Sequence, residues 1–126
     1  MGISLILVIF SAVGSEQECF LSKYIMTSLA NSVSNMQNVN FTGAWEKVDN
    51  YASVVVSVSS AVNATVNIDW GINFNTNTSV FYTDSYSYTA NDLSSTYQSR
   101  VKAQFCRIRY IGIDIGLFSI STSYKD

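Results

Sequence analysis

Residues 65–75 alternate without a break: Val66, Ile68, Trp70, Ile72 and Phe74 share one phase, and Asn67, Asp69, Gly71, Asn73 and Asn75 the other. Successive side chains of an extended chain point to opposite faces, so this pattern predicts a strand lining a core. The same period recurs over residues 52–62, where Val54, Val56 and Val58 oppose Val55, Ser57 and Ser59. Over 101–111, Cys106, Ile108 and Tyr110 oppose Arg107 and Arg109. Over 117–124, Phe118, Ile120 and Tyr124 oppose Ser119, Ser121 and Ser123. Gly112 and Gly116 bracket the connection between these two closing strands. Residues 79–89 carry Phe81, Tyr82, Tyr86 and Tyr88 around Asp84-Ser85, and read either as two short strands joined by a turn or as one exposed aromatic strand.

Two earlier segments break the pattern. Between Phe20 and Met36, the residues Leu21, Ile25, Leu29, Val33 and Met36 recur at three- and four-residue spacings, which predicts one amphipathic helix. Before it, Ile3 to Val13 is an apolar run of 11 residues, with Ser4 and Ser11 within it, containing Ile3, Leu5, Ile6, Leu7, Val8, Ile9 and Phe10. It is shorter than the roughly 20 residues a spanning helix needs, and matches the core of a signal peptide. Ala12-Val13-Gly14 suits cleavage, although no Lys or Arg precedes the run. The rival readings are an anchor dipping into a membrane, a segment packed on partner proteins, and a buried strand. Met1-Gly2 lacks the Ser or Thr that myristoylation expects at position 6, where Ile6 stands.

Six or more short strands, no proline and no helix between them predict a mainly β fold, an antiparallel β-sandwich of jelly-roll type. The expected organisation is an apolar anchor or signal-like segment (1–14), an amphipathic helix and linker (15–38) and a β-sandwich domain (39–126).

Composition narrows the chemistry. Charged residues are only 13% of the chain, while 20 Ser, 11 Asn and 9 Thr supply a neutral polar surface. A net charge of −2 offers no basic field for nucleic acid, which is not expected as a partner. The chain has no histidine, so His-based triads and His-ligated zinc are excluded. None of the phosphate-loop, nucleophile-elbow, C-x-x-C or dinucleotide motifs occurs, and the nine carboxylates form no calcium-loop spacing. The expectation is a protein without catalytic residues, cofactor or metal. Cys19 and Cys106, the only cysteines, would pair in an oxidising compartment; otherwise Cys106, on the apolar phase of its strand, is a small core residue. Sequons at Asn40, Asn63 and Asn77 matter only in a secretory lumen, and with the signal-like start they support a secreted protein as one alternative.

The stretch Phe41-Thr42-Gly43-Ala44-Trp45-Glu46-Lys47-Val48-Asp49-Asn50-Tyr51-Ala52-Ser53-Val54 resembles a recurring opening of the form F-T-G-x-W-E-x-V-x-x-Y-x-S-I/V. That opening belongs to β-sandwich modules in bacteriophage tail and receptor-binding proteins and in minor structural proteins of large DNA viruses. Phe105-Cys106-Arg107-Ile108-Arg109-Tyr110 is similar to a late strand of the same modules, so the resemblance spans about residues 40–124. Where the family often has S-x-D-G, this chain has Asp69-Trp70-Gly71-Ile72-Asn73, which alters the turn signal. The resemblance implies a virion structural protein, a minor capsid or capsid-associated component partnered by coat proteins. A receptor- or glycan-binding module of a fibre or spike is the alternative.

Candidate interaction residues follow from two clusters. Arg100, Lys102, Arg107 and Arg109 hold four of the seven basic residues within ten positions, as a solvated face or as a docking strip for an acidic surface or membrane headgroups. Tyr82, Tyr86 and Tyr88, with Tyr97, form either a protein- or glycan-binding face or cross-strand pairs within a sheet. Trp45 and Tyr51 are expected as core anchors, with Gly43 permitting a bulge or close backbone approach before Trp45.

Overall fold

A computed structural model describes residues 25–74, 77–92 and 95–126. Among them every regular element is a strand: β1 (Ile25–Thr42), β2 (Glu46–Lys47), β3 (Ser53–Ser60), β4 (Ala64–Phe74), β5 (Asn77–Tyr88), β6 (Ser95–Arg100) and β7 (Phe105–Lys125). All pairings are antiparallel and belong to one sheet. The apolar segment from Ile3 to Val13 and Cys19 lie outside the described residues.

Strand β7 is the spine. Along one edge it pairs with β1, and β2 continues that edge at Cys106 and Phe105. On the other edge β4 takes the first part, from Phe105 to Gly112, and β3 takes the last, from Phe118 to Lys125. Outside these lie β5 against β4 and β6 against β3. A straight strand would separate residues 106 and 124 by about 60 Å. Instead the Cys106 thiol donates to the Tyr124 hydroxyl at 3.9 Å, and the rings of Tyr110 and Phe118 stack 3.9 Å apart. The spine therefore curls back over itself and encloses the core between its own two halves.

That core is the set of apolar phases expected from the alternation. Val54, Val56, Val58, Val66, Ile68, Trp70, Cys106, Ile108, Tyr110, Phe118, Ile120 and Tyr124 are all buried, Ile72 is half-buried, and the Phe74 side chain lies outside the described residues. The opposite face of β4 is not simply solvated, because Asn67 and Asp69 are buried too.

Two sequence expectations are corrected, and of the two readings of residues 79–89 the single exposed strand is the one found. The described part of the amphipathic helix, from Ile25 to Met36, is strand. Its apolar spacing arises from bulges: Ser28 faces Thr122, Val33 faces Ile120 and Met36 faces Phe118, so β1 gains residues between inward positions. Leu29 is 85% exposed while Asn31 is buried, so the helical stripe is not the set of residues that packs. Residues 101–111 and 117–124 do not form two strands around a connection, since β7 runs through both glycines. Asp84-Ser85 is no turn but the middle of β5, and the β4–β5 hairpin reverses after Phe74, which pairs with Asn77.

Candidate functional site

The basic strip is resolved into intramolecular pairs. Asn67, Asp69 and Gly71 lie on the outward face of β4, and in the register Arg109 stands beside Asn67 and Arg107 beside Asp69. Arg109 donates to Asp69 through Nε at 2.6 Å and Nη2 at 2.9 Å, Arg107 Nε donates at 3.0 Å, and the Thr83 hydroxyl donates at 2.9 Å. Burial opposes ionisation of Asp69, but the hydrogen bonds from Arg109, Arg107 and Thr83 outweigh it and hold the carboxyl below its ordinary value. The Arg107 guanidinium also lies 4.5 Å from the centre of the Trp45 ring. Trp45 covers Gly71, where an added Cβ would come within 2.7 Å of the indole. Lys102 is engaged as well, since its ammonium donates to both oxygens of Asp84 at 2.7 Å. Asp84 further accepts from Trp70 Nε1 at 2.8 Å and from Ser99 at 2.9 Å. Burial works against its charge, but these donors keep Asp84 below the ordinary value, and the same pairing raises Lys102. Arg100 is exposed at the end of β6.

The tyrosines divide. Tyr88 is a core residue whose hydroxyl donates to the Asp92 carbonyl at 2.7 Å and accepts from the Ser60 amide at 3.0 Å. Tyr86 is half-buried and stacks on Tyr97 with centroids 4.7 Å apart, joining β5 to β6. Of the three, Tyr82 is the one exposed, with Lys102 4.9 Å above its ring.

A buried polar node was not foreseen. Asn31 Oδ1 accepts from the Ile108 amide at 2.8 Å, and its Nδ2 donates to the Ala44 carbonyl at 2.9 Å and to Glu46 at 3.0 Å. Ser28 and Tyr124 also donate to Glu46, and Thr122 donates to the Asn31 carbonyl at 2.7 Å. Cys106 is a free buried thiol within this node. Burial, more than any neighbour, pushes it up to about 12 and also raises Tyr124, so both are held protonated at neutral pH. The one signal for the node in the sequence was Gly43: a Cβ there would lie 1.9 Å from Asn31 Oδ1.

Two apolar patches and a neutral groove are also exposed. Ile111, Ile113, Ile115 and Leu117 occupy alternate positions of β7 and are all exposed, Ile113 at 76%. Around them β1 advances from Asn38 to Asn40 while β7 runs from Gly116 back to Ile111, so residues 112–115 have no partner on β1, while Gly112 pairs with Ala64 and the Ile113 amide donates to the Asn63 carbonyl at 3.0 Å; the four exposed side chains form an apolar ridge along β7. A second patch is Val80, Phe81 and Tyr82 on β5. A groove of about 450 Å³ runs over β1, β3, β6 and β7, lined by Val33, Val58 and Ile120 and by hydroxyls that include Ser57, Ser59, Thr96, Ser119 and Ser121. No group of three or more metal-ligating residues occurs among the described residues. Compared with family models, with characterised proteins and with solved structures, the chain shows no match to any.

Proposed function

We propose that this chain is a structural component of a virus particle, a minor capsid or capsid-associated protein that acts by packing against coat proteins rather than by catalysis. The observation that carries the reading is the ridge of Ile111, Ile113, Ile115 and Leu117, four large apolar side chains exposed on one strand. Contiguous exposed apolar surface on a folded domain marks a site of association. The motif from Phe41 to Val54 supports the viral context. In this reading the curled sheet acts as a two-layered sandwich of jelly-roll type, with the ridge at the fold of its spine.

The test is incorporation. Ile113→Asp combined with Ile115→Asp changes exposed side chains, so the denaturation midpoint should hold, while association with purified particles should fall at least tenfold. Unchanged incorporation of the folded variant would overturn the reading. The hydroxyl-lined groove favours a second reading, a glycan-binding module, because neutral hydroxyls beside apolar side chains match a sugar. Specific, saturable glycan binding lost in Ser57→Val and Ser121→Val would establish it.

A further inference from the structure

The pairing of Asp69 leaves guanidinium surface unspent. Asp69 is fully buried, and accepts from Arg107 through Nε alone and from Arg109 through Nε and Nη2. Both Nη atoms of Arg107 and Nη1 of Arg109 have no acceptor among the described residues, and the two side chains are 26% and 31% exposed. Asn67, buried beside Arg109 in the register, accepts from the Ser85 hydroxyl through Oδ1 at 2.7 Å, and its Nδ2 likewise has no acceptor among the described residues. Donors this close to a protein interior are ordinarily matched by acceptors. Two guanidinium charges also meet a single carboxylate, so one positive charge is left over where the unmatched donors lie. Arg107 is already fixed between Asp69 and the Trp45 ring, whose centre is 4.5 Å away, so it has little side-chain freedom left to lose on binding.

The same phase of β7 carries this patch into the apolar ridge. Arg107, Arg109, Ile111, Ile113, Ile115 and Leu117 are alternate residues of one strand, so they share a face. Thr42, beside Arg109 on β1, adds no charge. We infer that Arg107 and Arg109 form a receptor for one carboxylate, an aspartate or glutamate side chain of the coat protein that packs on the ridge. The single surplus charge matches a monoanion, whereas a phosphate dianion would leave negative charge uncompensated beside buried Asp69. A planar guanidinium offers a carboxylate two parallel hydrogen bonds. Continuity with the ridge selects a protein as the source, because an apolar patch flanked by arginine and tryptophan has the composition of a protein interface at its energetic centre. The inference deepens the packing reading and rests on it for the partner, but not for the carboxylate site itself.

Acetate is the probe of the site. Titrated into the full chain at constant ionic strength, with chloride as the balancing anion, it should shift the Nε–H resonances of Arg107 and Arg109 and the indole N–H of Trp45 saturably, and inorganic phosphate should bind no more tightly. Arg107→Gln leaves Asp69 held by Arg109 and Thr83, and should abolish these shifts and weaken association with purified particles by about tenfold or more. Arg107→Lys keeps the charge without the fork, should weaken both by about threefold or more, and decides the matter if the glutamine variant unfolds. A wild type without a saturable acetate shift overturns the carboxylate site. Acetate binding lost in Arg107→Gln with particle association unchanged overturns the partner. The variant with both Ile113→Asp and Ile115→Asp keeps the two readings apart, since it should lose particle association and still bind acetate. A sialylated oligosaccharide that binds about tenfold or more tighter than acetate moves the carboxylate to a glycan and overturns the protein partner.

Discussion

A side chain at position 43 has no room, because its Cβ would fall 1.9 Å from Asn31 Oδ1 and 2.9 Å from the Ala30 carbonyl. Neither neighbour can retreat cheaply, since Asn31 is held by Ile108, Ala44 and Glu46. Gly43→Ala should therefore destabilise by about 2 kcal/mol, the cost of overpacking, read from the urea midpoint. Cys106 shows the opposite case, a residue sheltered rather than crowded. Burial pushes its thiol up to about 12, so in a Cys19→Ser chain it should react with a thiol reagent at pH 8 only as fast as the protein unfolds. Asp69 and Asp84 have a pH signature of their own. Each is held below its ordinary value of 3.8, so the folded state binds fewer protons than the unfolded chain as acid is added. Their contribution is complete at neutral pH and is lost as pH falls through the depressed values. The slope of the denaturation midpoint below about pH 4 should flatten when both are changed to Asn. None of these pairs was legible beforehand: Arg107 and Asp69 are 38 positions apart, and only the strand register brings them together.

At the scale of elements, β1 is the informative case. Its Ser and Asn residues disfavour a helix interior, because their side chains compete for backbone hydrogen bonds, and the apolar spacing that suggested a helix is produced by bulges. Period-two alternation is reliable where a strand runs unbroken, as in β3 and β4, and fails where extra residues reset the phase. Asn31 occupies the largest reset, between Ser28 and Val33. Replacing it with Ala strands the Ile108 amide and the Ala44 carbonyl, and should cost about 3 kcal/mol by equilibrium unfolding. The same variant should raise the exchange rate of the Ile108 amide while leaving the β3–β6 ladder unchanged.

For the whole molecule, the curl of β7 decides which faces meet. Ladders on both edges hold the spine, whereas β5 and β6 join through side chains: the tyrosine stack, Ser99 and the Lys102–Asp84 pair. Hydrogen exchange should therefore open the β5–β6 seam at lower free energy than the centre of β7, and Asp84→Asn should widen the gap. The amino-acid sequence by itself determined the β class, the inward phase of β3, β4 and β7 and the absence of histidine chemistry. These are local properties, set by side-chain period and residue type. Tertiary structure alone decided that the arginines face a buried carboxylate, that Tyr88 is core while Tyr82 is surface, and that β1 is a strand. Each of these depends on which distant strand lies alongside and in what register. A one-residue shift of register exchanges the faces, and the bulges that set it follow from pairing across the sheet, not from any local run of residues.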